Sequence, residues 1–125
     1  MFLAASNDPA ETMCQTENSA RSGSGELAKR VPKAKVVRAF NTVPSEVQFG
    51  VYKGAAQGAQ TSLVYCGDDE ESKKVAAALI RDVGFEPVDA GPLRIACCTE
   101  PFALLMGQLA YEGSDGRESM PFRTL

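Results

Sequence analysis

Small and polar side chains follow three predicted strands of this sequence at the points where the strands end. They are Ser6-Asn7, Asn41-Thr42 and Ala90-Gly91-Pro92. Ligands of open parallel sheets bind outside the carboxyl ends of the strands, so these residues are candidates for one cleft. Asn41 and Thr42 suit hydrogen bonding to a ribose, a carboxamide or a flavin-type ring, and Gly91 would let a planar ligand approach closely. The alternative is that Asn41 caps the following helix and that Gly91-Pro92 is an ordinary turn.

A second pattern, Gly23-Ser24-Gly25-Glu26-Leu27-Ala28, matches the G-x-G-x-x-G/A fingerprint of dinucleotide-binding proteins. That fingerprint works directly after a strand, with the pyrophosphate on the helix N-terminus and an acidic residue about 20 positions further on. A polar loop precedes the glycines here, and Val43-Pro44-Ser45 occupies the place of the acid. We therefore interpret the match as a helix start that is capped by Ser22 or Ser24.

Other reactive residue types are few. The chain has no histidine, which removes the usual general base and the commonest zinc ligand. Its four cysteines lack metal-ligand spacing, and reduced cytosolic thiols are the favoured interpretation, with Cys97–Cys98 as packing residues rather than a redox pair. The acidic run Asp68–Glu71 is typical of a solvated helix start, although a hard cation is the alternative.

Length and composition narrow the class of protein. A chain of 125 residues allows one domain, predicted to span 1–125. A net charge of −3 without a block of lysine and arginine disfavours nucleic-acid binding. The apolar runs are too short to span a membrane, and Met1–Ala5 lacks the basic region of a signal peptide, so a cytoplasmic location is expected.

One strand–helix–strand unit dominates the predicted fold. Ser62–Tyr65 is a buried strand, Asp68 is the predicted N-cap with Glu71 completing a capping box, and Gly84 is the predicted left-handed C-cap. Phe85–Val88 then forms a second strand. Because a helix joins these strands, they are expected to be parallel. The apolar stripe of the helix is predicted at Val75, Leu79 and Val83, beside Ala76 and Ile80.

The remaining pattern predicts an α/β chain in the order β–loop–α–β–(α)–β–α–β–α. The last helix is expected to start near Glu100, with Pro101 in its first turn, and its face Phe102–Leu109 is either core or a dimer surface. The other predicted elements are a strand at Phe2–Ala5, a loop at Ala10–Ser22, a helix at Gly25–Val31, a strand at Lys35–Phe40, a short helix at Ser45–Phe49, a mobile loop at Gly50–Thr61 and a polar tail at Gly113–Leu125.

Three phrases of the sequence carry a family resemblance. They are KVVRAFNTVPSEV, LVYCGDDEESKKVAAALIRDVGFEPVDAGPL and the terminal PFRTL, and the match runs from about Ala5 to the C-terminus. In this order and spacing they resemble the C-terminal half of the NADP-dependent oxidoreductases that include NADPH:deazaflavin (coenzyme F420) reductase. These phrases also resemble the related cytosolic domain of the six-transmembrane ferric reductases. The resemblance implies a Rossmann-like fold, a mainly parallel sheet and hydride transfer between NADPH and a flavin or deazaflavin.

The resemblance also implies which residues bind the cofactors. It places Asn41, Thr42 and Val43 beside the nicotinamide and the second redox ring, and Ala90, Gly91, Pro92 and Leu93 in the wall of the same cleft. Ser6 and Asn7 match a strand-end Ser/Thr-Asn that is usually followed directly by proline, whereas here Asp8 intervenes before Pro9. No catalytic acid or base and no metal is implied.

The sequence departs from the family pattern at its front. The strand, G-x-G-x-x-G turn and second strand that bind the dinucleotide phosphates are not found in these 125 residues. Two hypotheses follow. Either the chain is a member or fragment of such an oxidoreductase, with weak or absent binding of NADP(H) by itself, or it is a non-catalytic module that forms a homodimer or binds a partner.

Overall fold

The strand–helix–strand unit expected between residues 62 and 93 forms the centre of the structure. The computed structural model describes residues 22–43, 45–58 and 60–111. The predicted strand Phe2–Ala5, nearly all of the loop Ala10–Ser22 and the tail Gly113–Leu125 lie outside these residues, as do Ser6 and Asn7.

The described chain is an α/β arrangement, as predicted, in which helices flank a three-stranded sheet of order β1-β2-β3. β2 and β3 are parallel, in the register Ser62↔Glu86 to Tyr65↔Asp89. In sequence order the elements are α1 (Gly23–Arg30), β1 (Val37–Arg38), α2 (Ser45–Ala55), β2 (Ser62–Gly67), α3 (Glu70–Asp82), β3 (Glu86–Asp89), a 3₁₀ turn (Leu93–Ile95) and α4 (Ala96–Tyr111).

β1 differs from the prediction in length and direction. Only Val37 and Arg38 pair with β2, and they do so antiparallel, opposite Gly67 and Cys66. The chain then leaves the sheet at Phe40, which has a left-handed backbone with φ +63°. Because β1 runs against β2 and β3, its carboxyl end points away from theirs. The expectation that Asn41-Thr42 and Ala90-Gly91-Pro92 follow strands ending at the same edge of a parallel sheet is therefore wrong.

Local hydrogen bonds cap both ends of α3. The N-cap is Asp69 rather than the predicted Asp68, and its carboxylate accepts hydrogen bonds from the backbone N–H and the hydroxyl of Ser72. At the other end Gly84 is left-handed, with φ +91°, as predicted. Its N–H donates to Arg81 and the N–H of Phe85 donates to Ile80, which is the Schellman arrangement.

The buried face of α3 is not the predicted stripe. Val75 and Leu79 are 69% and 56% exposed, whereas Lys73, Ala77 and Ile80 are buried. Spacings of four and three residues between these three match the 3.6-residue period, so they share one face. Residues Leu63, Tyr65, Ala77, Ile80 and Phe85 form the core between α3 and the sheet.

The other helices are longer than the sequence suggested. α2 continues through Ala55, so residues 50–55 are helical rather than a loop. α4 begins at Ala96, because the 3₁₀ turn leads directly into it, and Pro101 lies inside the helix. Proline has no N–H, so the helix gives up one backbone hydrogen bond at this residue. None of the helices in the described part of the chain has the length and apolar character needed to cross a bilayer.

Candidate functional site

The segment Ala90–Leu93 follows β3 and is held in a defined conformation. The N–H of Ala90 donates to Tyr65 of β2 at 2.8 Å, and the N–H of Gly67 donates to the carbonyl of Gly91 at 3.0 Å. Gly91 has φ +98°, and a Cβ placed on it would meet no atom within 4 Å. The space beside the Cα of Gly91 is therefore open. A flat ligand would need such an open space in order to lie against this turn.

Two carboxylates anchor this segment. The Asp89 carboxylate accepts a hydrogen bond from the N–H of Gly91 at 2.8 Å, and the Asp68 carboxylate accepts one from the N–H of Leu93 at 2.8 Å. Asp68 thus serves the turn after β3 instead of capping α3. Sequence reasoning assigned neither residue to the site. The contact of Asp68 spans 25 positions, whereas that of Asp89 spans only two and could have been recognised as an Asp side chain that closes its own turn.

Lys73 holds Asp89 in place from α3. Its ammonium lies 2.8 Å from Asp89 and 3.1 Å from Glu70, while its side chain is only 7% exposed. The hydrogen bonds that Lys73 donates to Asp89 and Glu70 outweigh the effect of burial and raise the pKa of Lys73. Burial alone would raise the pKa of Asp89, but the bonds from Lys73 and Gly91 lower it overall. Both groups are therefore charged at neutral pH, and the pair is a fixed support for Gly91.

The second candidate segment begins at a strained residue. The φ of +63° at Phe40 costs a non-glycine residue on the order of 1–3 kcal/mol, which the packing of Phe40 against the core must offset. The amide of the next residue, Asn41, donates to the carbonyl of Thr99 in α4 at 2.9 Å. Thr42 and Val43 are half-buried, and Val43 packs against the core. These contacts fix the path of Asn41–Val43.

The first turns of α4 connect the two candidate segments. Ala90–Pro92 leads into α4 through the 3₁₀ turn that begins at Leu93, and the Asn41 amide donates to the carbonyl of Thr99, the fourth residue of α4. One segment thus precedes α4 in the chain and the other is hydrogen-bonded to it, although their strands run in opposite directions. The third predicted pair, Ser6-Asn7, is not among the described residues.

Glu100 of α4 occupies the amino-terminal end of α1. Its carboxylate accepts hydrogen bonds from the N–H of Gly23 at 2.7 Å and from the N–H and hydroxyl of Ser24 at 3.0 Å each. Ser22 is the N-cap and accepts from the N–H of Gly25, as one of the two predicted caps. In dinucleotide-binding proteins such a helix end holds a pyrophosphate. Here an internal carboxylate has that position, which agrees with the interpretation of the Gly23–Ala28 match as an ordinary helix start.

Arg38 completes the surroundings of Glu100. Its Nε lies 3.8 Å from the carboxylate, is buried and has no hydrogen-bond partner among the described residues. Burial by itself would raise the pKa of Glu100, but the bonds from Ser24 and Gly23 and the charge of Arg38 lower it overall. Sequence reasoning missed Glu100, since its partners lie 76 and 77 positions away.

The cysteines give a mixed outcome. Cys66 is fully buried, and burial is the main cause that raises its pKa to about 11. Cys97 is also buried, as expected of a packing residue, but it is disulfide-bonded, so the prediction of reduced thiols is wrong for this residue. Its disulfide partner is not Cys98, whose sulfur lies 3.6 Å from that of Cys97. Within the described ranges no group of three or more Cys, Asp or Glu residues could hold a metal ion.

Comparison with known proteins bears on the fold. No family model matches the chain. Among solved structures, it is similar to a putative F420-dependent NADP reductase from Arthrobacter sp. FB24, with a TM-score of 0.62 and 26% sequence identity. The similarity covers 72% of this chain and 40% of that one, so the chain spans about two fifths of the length of the reductase it matches. The described residues therefore have a Rossmann-like, NADP-reductase-type fold.

Proposed function

We propose that this chain is a member or fragment of an NADP-dependent oxidoreductase that transfers a hydride between NADPH and a flavin or deazaflavin. The observation that carries the proposal is the structural similarity to the putative F420-dependent NADP reductase. The three sequence phrases that resemble this family support it independently. The reductase is more than twice as long as the matched region, so the activity of the whole reductase is part of the proposal.

In this proposal the two candidate segments form one wall of the cofactor cleft. Gly91 is the point of close approach, because the space beside its Cα is open and its conformation is held by Gly67, Asp89 and, through Asp89, Lys73. Asn41–Val43 supplies the neighbouring polar surface. One N–H of the Asn41 amide donates to Thr99, so the second N–H, the carbonyl oxygen and the Thr42 hydroxyl are the groups that we assign to ligand contacts.

Direct hydride transfer requires these residues to orient two rings rather than to move a proton. Catalysis of this kind comes from holding the reacting atoms in line at close range. The absence of histidine is therefore compatible with the proposal. The main deficit is the phosphate-binding turn, since Glu100 fills the only G-x-G helix end among the described residues.

Calorimetric titration with NADPH tests the proposal on two proteins. We expect the 125-residue chain alone to bind no tighter than about 1 mM, which is about −4 kcal/mol, because Glu100 occupies the G-x-G helix end of the described residues. A fusion that places a G-x-G-x-x-G strand–helix–strand unit before Ala5 should bind at micromolar concentrations. A folded fusion that fails to bind NADPH would contradict the proposal.

A pair of glycine variants of the fusion tests the assigned wall. Gly91→Ala should weaken NADPH binding about tenfold, because the new methyl group would stand in the space assigned to the ring. Gly58→Ala is the matched control, since Gly58 also has a positive φ and an open Cβ position. Equal affinities for the two variants would remove Gly91 from the site.

A second candidate function is a non-catalytic module that acts by self-association or partner binding. The observation that favours it is the exposure of Leu104 and Leu105 on α4, at 78% and 53%. Adjacent exposed leucines are typical of association surfaces. Light scattering on the same sample distinguishes the candidates: a dimer that becomes a monomer in Leu104→Lys and never binds NADPH would favour the module.

A further inference from the structure

Positive charge is concentrated in one part of this acidic chain. The stretch from Leu27 to Ser45 contains no Asp or Glu and carries five basic residues, namely Lys29, Arg30, Lys33, Lys35 and Arg38. The whole chain has a formal charge of −3, so the remainder carries −8. Such a separation of charge produces a local positive potential on a molecule that is otherwise negative.

The structure exposes most of this charge on a single turn. All residues from 29 to 35 are exposed, where α1 ends and the chain turns towards β1. The N–H of Ala34 donates to the carbonyl of Val31 at 2.8 Å, which closes a turn with Pro32 at its second position. Proline restricts the backbone there, so Lys33 is presented from a preorganised turn. We call residues 27–35 the basic turn.

Two of its cations pair with no acid among the described residues. None of the six ion pairs found among the described residues includes Arg30 or Lys33. Lys29 and Lys35 do pair, with Glu26 and Asp69, but their side chains remain 71% and 66% exposed. Exposed pairs of this kind are worth little, so these cations can exchange their partners at small cost.

Apolar side chains lie among the cations. Leu27 lies in α1 and Val31 is the C-cap of that helix, with its N–H donating to the carbonyl of Leu27. Their side chains are 51% and 39% exposed. Val31, Pro32, Lys33 and Ala34 line a shallow hollow beside them. An apolar centre surrounded by charge is the usual composition of a protein–protein contact.

We propose that the basic turn binds an acidic protein segment that also carries apolar side chains. Its carboxylates would pair with Arg30 and Lys33, while its apolar groups cover Leu27 and Val31. A nucleic acid fits less well, because residues 27–35 contain no aromatic side chain on which a base could stack. A membrane fits less well because a wide anionic surface would also meet the negative charge of the rest of the chain.

The test uses a fluorescent twelve-residue peptide of glutamates with two leucines four positions apart, titrated with the full 125-residue chain and followed by anisotropy. We expect saturable binding that weakens at least tenfold between 20 and about 200 mM salt, as charge pairing requires. Arg30→Glu combined with Lys33→Glu should weaken binding at least tenfold, and Leu27→Ser should weaken it about threefold.

The matched control is Lys53→Glu combined with Lys74→Glu. Both lysines are exposed and lie outside the basic turn, and this pair changes the net charge by the same amount. Its affinity should stay within twofold of the parent chain, and circular dichroism verifies that each variant is folded. Equal losses of peptide affinity in the two double variants would overturn the proposal. So would peptide binding that does not saturate at about 1 mM parent chain. Tighter binding of single-stranded DNA or of phosphatidylserine vesicles than of the peptide would overturn it as well.

Discussion

At the scale of single residues, Glu100 makes the most connected polar contact of the described structure. One carboxylate serves two backbone N–H groups and a hydroxyl of α1 and lies beside Arg38 of β1. We predict that Glu100→Gln destabilises the protein by about 1–3 kcal/mol at pH 7, because hydrogen bonds to a charged acceptor are replaced and an amide N–H₂ meets donors. Urea unfolding measures this. The control Glu71→Gln, at an 82% exposed carboxylate, should change the free energy of unfolding by less than about 0.5 kcal/mol.

The same contact has a definite pH dependence. The pKa of Glu100 is lower in the folded state than its ordinary value of 4.5, so its stabilising contribution is complete above that value and is lost as the pH falls below it. The difference in unfolding free energy between the parent chain and Glu100→Gln should therefore shrink as the pH is lowered from 6 towards 3. A difference that stays constant over this range would show that the charge of Glu100 is not what stabilises the contact.

At the scale of elements, Gly84 joins α3 to α2. Its φ of +91° disfavours any side chain, and a Cβ there would lie 2.9 Å from the Cα of Tyr52 and 3.2 Å from the Cβ of Ala55. Gly84→Ala should therefore combine a conformational cost of about 1–2 kcal/mol with displacement of α2. Gly58→Ala has a similar φ but an open Cβ position, so it should show the conformational cost alone. Urea unfolding of both variants separates the conformational cost from the cost of displacing α2. Equal losses of unfolding free energy in the two variants would contradict the close packing of α2 on Gly84.

At the scale of the whole molecule, Cys66 reports on global unfolding. It is fully buried in β2, and burial raises its pKa to about 11, so neither access nor ionisation favours reaction in the folded state. Alkylation of Cys66 at pH 8, followed by peptide mass spectrometry, should become fast only at the urea concentration where circular dichroism shows unfolding. Fast alkylation well below that midpoint would mean that β2 opens locally.

Part of the local structure was predictable from sequence. The strand–helix–strand unit, the left-handed Gly84 and the Ser22 cap follow from local hydrogen bonding and from the pattern of apolar residues, and the parallel pairing follows because a helix joins the two strands. The polar turn at Ala90–Leu93 was also recognisable, since Gly-Pro breaks both helix and strand. The local sequence pattern did not show which hydrogen bonds hold these turns.

The remaining features were decided by contacts between residues that are far apart in the chain. Two strands of the same local character can pair in either direction, so the sequence pattern did not show that β1 is antiparallel to β2. Lys73 is buried on α3 because it forms an ion pair with Asp89 at the end of β3. The helical periodicity of α3 does not reveal this contact. Glu100 reaches α1 across 76 positions. Sequence alone therefore predicted the strand–helix–strand unit and the caps at Ser22 and Gly84, but not the N-cap Asp69 or the full length of α2 and α4. The tertiary structure decided the strand direction and the carboxylates and lysine that hold the candidate segments, because those depend on which distant charges and backbone donors meet.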